Sequence, residues 1–206
     1  MNTQNKVEVI PLFSSPVLVS NENENCSFTH IIDYCNSLEY RQNKSGNLTS
    51  VDSYILENPM FSEIKRLILG AIEQYTKRVM MWSNNDFFIT QSWININPKN
   101  TAHHTHFHKN SIISGTFYLQ TNDNDSITFL SDRKDCMDLV VSSFNLWNST
   151  SWDMCVKTNT ITIFPSLLSH EVKENTSADE RISISFNVFV KGMLGTNKNL
   201  TLLQFK

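Results

Sequence analysis

The hydrophobic period of the chain changes from helical to two near residue 86, and this change constrains the fold more than any other feature. A period of two belongs to β-strands, in which alternate side chains share a face. Polar or Gly-containing turns separate the segments with this period, which are 87–97, 111–120, 126–130, 158–165 and 181–191. The pattern predicts a mainly β core over residues 87–191.

The chain before this core carries the helical signals. A short helix is predicted over 27–38, and a stronger one begins at Asn58, which can cap it, and fades near Met81. We expect these helices to cover one face of a sheet. Residues 7–20, with two prolines, favour an edge strand or an extended arm, and the polar segment 39–53 is predicted to be a loop.

At 206 residues the chain suits one domain, 1–206. Within it we expect 1–86 to be a supporting segment, 87–191 the core and 192–206 a C-terminal extension. Residues 132–154 are predicted to form a long loop with a short strand near Val140, exposing Trp147 and Trp152.

Composition narrows the class of partner and the compartment. The net charge of −3 gives no basic field, so non-specific nucleic-acid binding is not expected. We predict no membrane association and a cytoplasmic location, because the sequence shows neither a signal-peptide pattern nor an apolar run of membrane-span length. The cysteines, which include no C-x-x-C pair, are predicted to be reduced thiols: Cys26, Cys35, Cys136 and Cys155.

Alternation within the strands predicts which side chains share a face. Arg181, Ser183 and Ser185 fall on one side of their strand, opposite a row of apolar residues. The same holds for the polar residues of 111–120 and 87–97, which include Tyr118, Asn95 and Asn97. A solvated sheet face explains this pattern, and so does a barrel with a polar lumen. Arg181 favours the barrel, because a guanidinium among serines suits carboxylate binding.

The stretch His103–Leu119, which reads HHTHFHKNSIISGTFYL, is a candidate metal site. In an extended chain His104, His106 and His108 project from one face, so adjacent members of the row can bind one ion. A further ligand must come from another strand, and His170 is the candidate. A solvated His-rich turn or a scavenging site is the alternative.

These residues resemble the Fe(II)- and 2-oxoglutarate-dependent oxygenases. The resemblance rests on H-x-H, on Ser114-Gly-Thr-Phe-Tyr118-Leu119, on Phe164-Pro-Ser-Leu-Leu-Ser-His170, and on Arg181-Ile-Ser183. The resemblance is strongest from Trp93 to Asn187. Within the family, the chain is most similar to small oxygenases of phages and marine bacteria, which are related to prolyl hydroxylases. If the chain is phage-encoded, the predicted compartment is the host cytoplasm.

The resemblance implies a double-stranded β-helix, or jelly roll, with flanking N-terminal helices. It implies that His106, His108 and His170 bind Fe(II), with no catalytic residue beyond these ligands. Arg181 and Ser183 then bind the distal carboxylate of 2-oxoglutarate with help from Tyr118, and Asn95 or Asn97 touches the other end of the co-substrate.

One departure from the family pattern concerns His108, which stands where the family has a carboxylate. Three histidines then replace the usual set of two histidines and one carboxylate. His104 with His106 is an alternative register, and Asp125 and Asp132 are alternative sources of a carboxylate.

The implied activity is hydroxylation of an unidentified small-molecule or peptidyl substrate by O2, with oxidative decarboxylation of 2-oxoglutarate to succinate. Two alternatives stay open at this point: a three-histidine cupin-like metal barrel that does not use 2-oxoglutarate, and a non-catalytic jelly-roll binding module. A homodimer and a monomer are both open alternatives for the oligomeric state.

Overall fold

The computed structural model describes residues 7–21, 26–83, 85–133, 137 and 139–205. Over these residues the protein is mainly β, with antiparallel sheets and few helices. The helices are α1 (Thr29–Cys35) and α2 (Ser62–Gln74). The strands are β1 (Leu18–Ser20), β2 (Tyr40–Gln42), β3 (Leu48–Ser50), β4 (Asn85–Asn97), β5 (His103–His106), β6 (Ile113–Gln120), β7 (Ser126–Leu130), β8 (Ser151–Cys155), β9 (Ile161–Pro165), β10 (His170–Val172), β11 (Arg181–Leu194) and β12 (Leu203–Phe205).

Two sheets contain all the strands of the described chain. The larger has the order β1-β9-β6-β11-β4-β3-β2, with β12 paired to β11, and the smaller has the order β5-β10-β7-β8. Strands β4 and β11 form the longest ladder, from Arg181 opposite Asn97 to Gly192 opposite Asn85. Segments outside 87–191 therefore contribute to the large sheet at both ends of the chain.

The helices cover the outer face of the large sheet, as the apolar rows predict. The alternate residues Ile182, Ile184, Phe186 and Val188 of β11 lie in the main hydrophobic core together with apolar residues of α1 and α2. Burial of such side chains is the main source of stability. Because one face of β11 is covered in this way, its polar residues point to the opposite side.

Helix α2 begins as the sequence predicts. Asn58 Oδ1 accepts a hydrogen bond from the Met60 N–H at 3.0 Å, and Pro59 opens a 3₁₀ turn that leads into the helix. After Gln74 the chain continues as a π-helical segment, Tyr75–Val79. Among the described residues, no helix has the length and apolar character that crossing a membrane requires.

Two predicted loops differ from the structure. The segment 39–53, predicted to be a loop, contains the β2–β3 hairpin. Its sequence is polar, but β3 pairs with β4, and the backbone hydrogen bonds of that pairing stabilise the hairpin. The strand predicted near Val140 is wrong, since that residue is fully exposed outside any strand and the strand of this region is β8. Trp147 and Trp152 are both exposed, as predicted.

The cysteines that the structure describes are free thiols: Cys26, Cys35 and Cys155. Cys136 lies outside the described residues. Burial raises the pKa of Cys35 to about 12, so this thiol is unreactive at neutral pH.

Candidate active site

One pocket between the two sheets collects the residues that the sequence singled out. The large sheet contributes polar side chains from β4, β6 and β11, and the small sheet contributes histidines. The lining comprises Trp93, Asn95, Asn97, His103, His106, His108, Gly115, Thr116, Tyr118, Ile127, His170, Val172, Arg181, Ser183 and Ser185. The predicted polar lumen is therefore present.

Three histidines converge at one end of this pocket. One ring nitrogen from each of His106, His108 and His170 lies within 4.8 Å of the other two. The Nε2 atoms of His108 and His170 are 3.3 Å apart. Imidazole nitrogens grouped in this way can bind a divalent transition metal from three directions.

Hydrogen bonds to the backbone set the tautomers of two of these rings. His106 Nδ1 lies 2.8 Å from the carbonyl oxygen of His104, and His170 Nδ1 lies 2.9 Å from that of Leu168. Because a carbonyl only accepts, each Nδ1 carries the proton and donates it. Each Nε2 is therefore the unprotonated nitrogen, which is the arrangement that metal-binding histidines adopt.

Strand pairing explains how residues far apart in sequence meet here. His106 in β5 lies directly opposite His170 in β10. His108 follows the end of β5, and its backbone N–H donates to the carbonyl of Ser166 at 2.8 Å. The chain is thereby turned so that the third imidazole lies beside the other two.

The predicted common face of His104, His106 and His108 is wrong, because β5 contains an irregularity. His106 pairs with His170, but Val172, two residues along β10, pairs with His103, three residues back along β5. The extra residue in β5 shifts the alternation in the way a β-bulge does. His104 is exposed and lies outside the cluster of three, so the His104 and His106 register is not the one observed.

His103 is a pocket residue that was not predicted from the sequence. The bulge turns it inward, where its ring stacks on that of His106 with centroids 4.5 Å apart. Its position next to the histidine row was the one indication in the sequence that His103 belongs to the site. In a regular strand, however, residues three apart lie on opposite faces, so His103 and His106 were not expected to face the same pocket.

The other end of the pocket holds a buried arginine. Arg181 is 3% exposed, and its Nη1 donates to the carbonyl of Ser126 at 3.3 Å. The same nitrogen lies 3.5 Å from Oδ1 of Asp125, which is 8% exposed. Burial lowers the pKa of Arg181 and the charge of Asp125 opposes that shift, so the guanidinium stays charged.

The two proposed sources of a metal-binding carboxylate are not at the histidine cluster. Asp125 faces Arg181 instead. Asp125 immediately precedes β7, and Arg181 is the first residue of β11. Asp132 is exposed in the segment after β7. Of the residues that the structure describes, the cluster contains histidines alone.

Ser183 lies two residues after Arg181 on β11, and Tyr118 lies on the neighbouring strand β6. Ser183 of β11 is directly opposite Tyr118 of β6 and Asn95 of β4. Tyr118 is 2% exposed, and burial raises its pKa to about 12, so the phenol stays protonated and able to donate. The pocket therefore offers neutral donors next to the guanidinium.

The two candidate asparagines differ in what their amides contact. The Asn95 amide accepts from Thr49 Oγ1 at 3.1 Å and donates to Ser185 Oγ at 3.0 Å. Asn97 lies opposite Arg181 and is 2% exposed, yet its Nδ2 has no hydrogen-bond partner among the described residues. A buried donor without a partner costs free energy, so Asn97 has the capacity to bind a ligand.

Burial holds the clustered histidines neutral. It lowers the pKa of His103 and His108 from 6.5 to about 3 and that of His170 to about 4, with neighbouring imidazoles adding to the effect for each. Burial also lowers the pKa of His106. Neutral rings are the form that binds metal.

These shifts predict acid sensitivity of the metal-free protein. Below pH 6.5 the unfolded chain takes up protons on these histidines while the folded chain does not, so the free energy of unfolding falls as pH falls toward 4. Replacing His108 with glutamine should make that fall shallower. Urea unfolding of the metal-free proteins between pH 7.5 and 4.5 measures this, and parallel curves for wild type and variant contradict it.

Trp152 lies on the same cross-strand row as the histidines. His106 is opposite His170, His170 is opposite Phe129, and Phe129 is opposite Trp152 at the edge of the small sheet. Paired residues in an antiparallel ladder share a face. The long segment between β7 and β8, which carries Trp147, therefore begins and ends near the histidine end of the pocket.

Comparison with known proteins confirms the resemblance seen in the sequence. Residues 91–187 match the sequence model of a family described as "Putative 2OG-Fe(II) oxygenase". A comparison with curated protein sequences gives no match. The matched segment includes the three clustered histidines and Arg181.

Several solved structures share the fold at low sequence identity. A prolyl hydroxylase from Trichoplax adhaerens, in complex with a hypoxia inducible factor oxygen degradation domain peptide, is 12% identical, with a TM-score of 0.59 over 84% of this chain and 83% of that one. HygX from Streptomyces hygroscopicus, with nickel and 2-oxoglutarate bound, is 11% identical, with a TM-score of 0.57 over 84% and 82%. The alpha-ketoglutarate-dependent epimerase SnoN from nogalamycin biosynthesis is 9% identical, with a TM-score of 0.58 over 85% and 78%.

Proposed function

We propose that this chain, whose residues 91–187 match the 2OG-Fe(II) oxygenase family, is an Fe(II)- and 2-oxoglutarate-dependent dioxygenase that hydroxylates its substrate. The observation that carries the proposal is the pocket itself, in which three clustered histidines and a buried arginine lie between the same two sheets. We also infer that the two sheets form a double-stranded β-helix and that residues 1–206 make one domain.

The histidine cluster fits Fe(II). His106, His108 and His170 supply three neutral nitrogen donors, and hydrogen bonds to carbonyls orient two of the rings. Imidazole is a suitable ligand for iron, and three ligands leave coordination positions for a co-substrate. In HygX, which shares the fold, nickel and 2-oxoglutarate are bound together.

The arginine end fits the distal carboxylate of 2-oxoglutarate. Arg181 offers a charged planar donor group, and Tyr118 and Ser183 offer hydroxyl groups from the same region of the pocket. Charge-assisted hydrogen bonds to a carboxylate are among the strongest in proteins, particularly in a buried site. Arg181 would thus fix the orientation of the co-substrate.

When bound, Fe(II) with 2-oxoglutarate and O2 supplies the oxidising chemistry that converts 2-oxoglutarate to succinate and CO2 and inserts one oxygen atom into a C–H bond. The chain's own contribution is orientation and exclusion of water. Apolar residues beside the histidines, including Ile127 and Val172, limit access of solvent to the reacting groups.

Asn97 is proposed as an additional donor to the co-substrate. Asn97 lies opposite Arg181 and its Nδ2 has no partner among the described residues, which supports a contact with the carboxylate proposed to bind Arg181 rather than with the metal end. Replacing Asn97 with alanine should weaken binding of 2-oxoglutarate by about tenfold, the size of one hydrogen bond to a charged group. Calorimetry on Ni(II)-loaded protein measures the change.

The matched control is Asn95→Ala. The Asn95 amide already forms hydrogen bonds with Thr49 and Ser185. Its loss should therefore lower the melting temperature but leave the affinity for 2-oxoglutarate close to that of the wild type. Equal losses of affinity in the two variants would contradict the assignment of Asn97.

A second candidate function is a three-histidine metal barrel of the cupin kind. The observation in its favour is that the described cluster contains no carboxylate. Under this alternative the buried Arg181 has no role in binding 2-oxoglutarate. Metal binding that is unaffected by 2-oxoglutarate would support the cupin-like activity and exclude the dioxygenase.

The substrate class is tested by coupled turnover. HygX has been crystallised with hygromycin B and the Trichoplax enzyme with a peptide, so both small molecules and proline-containing peptides belong in the test. Succinate release that a candidate stimulates, together with a product heavier by one oxygen atom, would identify a substrate. Stimulated succinate release without any change in product mass would contradict hydroxylation.

A further inference from the structure

The buried arginine of the pocket already has a carboxylate beside it. Arg181 Nη1 and Asp125 Oδ1 are 3.5 Å apart, and the two side chains are only 4% and 9% exposed. Charges this well shielded from solvent interact strongly, because little water screens them. Any second carboxylate that approaches Arg181 therefore meets a guanidinium whose charge is partly neutralised.

Asp125 is fixed in place by its own hydrogen bonds. Its Oδ2 accepts from the backbone N–H of Asn122 at 2.8 Å, and its carbonyl accepts from the N–H of Val156 at 3.0 Å. The turn that ends in β7 thus holds the carboxylate toward Arg181. Tyr118, which also faces Arg181, contributes a neutral hydroxyl and no charge.

The formal charges of the pocket are distributed unusually. With a divalent metal, the three neutral histidines leave two positive charges at the metal end, and the Arg181–Asp125 pair is neutral at the other end. A site with two histidines, one carboxylate and an unpaired arginine has the same total, but places one positive charge at each end. The pocket thus has no carboxylate at the histidine cluster, but it has one, Asp125, beside Arg181.

We infer that Asp125 is a specificity-determining residue, which weakens the preference of the pocket for co-substrates that carry a distal carboxylate. This inference rests on the proposed function. The metal end, with its full double charge, binds the 2-oxo acid group, while the neutral Arg181–Asp125 pair gains less from a distal carboxylate than a free arginine would. The pocket should accept 2-oxo acids with an uncharged tail nearly as well as 2-oxoglutarate.

Calorimetry on wild-type protein loaded with Ni(II) tests this without any substitution. The probes are 2-oxoglutarate and 2-oxopentanoate, which share the chelating group and chain length but differ in the distal carboxylate. We expect their dissociation constants to differ by less than about tenfold, since a neutralised guanidinium should add about the net gain of one uncharged hydrogen bond. A preference for 2-oxoglutarate of about a hundredfold or more overturns the inference.

The variant Asp125→Asn provides the second arm. The amide oxygen can still accept from Asn122, but the negative charge is removed, so the preference for 2-oxoglutarate over 2-oxopentanoate should increase by about tenfold. Asp123→Asn, which changes an exposed carboxylate in the same turn, should leave the ratio unchanged. An unchanged ratio in Asp125→Asn overturns the inference.

Failure of the proposed function gives a different result. In that case neither 2-oxo acid binds to the Ni(II)-loaded wild-type protein, whereas failure of the inference alone leaves 2-oxoglutarate binding intact with strong discrimination.

Discussion

The variant Arg181→Leu is expected to weaken 2-oxoglutarate binding by about a hundredfold or more, because it removes the guanidinium proposed to bind the distal carboxylate and leaves the buried charge of Asp125 to repel that carboxylate. It should also lower the free energy of unfolding by about 3 kcal/mol or more, since Asp125 is left as a buried carboxylate without its partner. Calorimetry with Ni(II)-loaded protein and urea unfolding measure the two effects separately.

A double variant separates binding from folding. Arg181→Leu combined with Asp125→Asn leaves no unpaired charge, so most of the lost stability should return while 2-oxoglutarate binding stays weaker than in the wild type. Arg78→Leu, which changes an exposed arginine after α2, is the control and should behave as wild type in both measurements. Binding of wild-type strength in the double variant would contradict the role given to Arg181.

The second large effect is expected at the histidine cluster proposed to bind the metal. Replacing His170 with glutamine should weaken metal binding by more than about a hundredfold, because loss of a ligand exceeds the tenfold to hundredfold cost of losing the partner of a ligand. The ring of His170 also packs on Phe164, with centroids 4.7 Å apart, so a side chain of similar length is preferred to alanine. Competition against a chelator measures the affinity.

His104→Gln is the matched control for this prediction. His104 belongs to the same histidine-rich stretch but is exposed and lies outside the cluster. Metal affinity should be close to that of the wild type. If His104→Gln and His170→Gln weaken binding equally, the site is a diffuse histidine-rich surface rather than the cluster in the pocket.

Much of the fold follows from alternation alone. The polar and apolar faces of β11 and β4 were predicted correctly, because each residue in a regular strand must face one side or the other. The pairing of His106 with His170 required a guess about which strands are neighbours. Sequence periodicity carries no information on that point. His170 was the candidate ligand from another predicted strand, and the resemblance to known oxygenases then implied the same residue.

Three features could not be predicted, each for a local reason. The bulge in β5, which turns His103 inward and His104 outward, depends on the pairing with β10. The β2–β3 hairpin is polar and gains its stability from the edge of the large sheet, so its own sequence reads as a loop. The contact of Asp125 with Arg181 joins residues more than fifty positions apart, and no motif marks it.

Anaerobic titration of the metal-free protein with Fe(II) and then 2-oxoglutarate tests the central claim most directly. We expect a weak visible charge-transfer band that forms only when both are present, saturates at one equivalent of each, and is lost in Arg181→Leu and in His170→Gln. A protein that binds Fe(II) at the cluster yet shows no band and no calorimetric response to 2-oxoglutarate would contradict the proposed 2-oxoglutarate-dependent oxygenase activity.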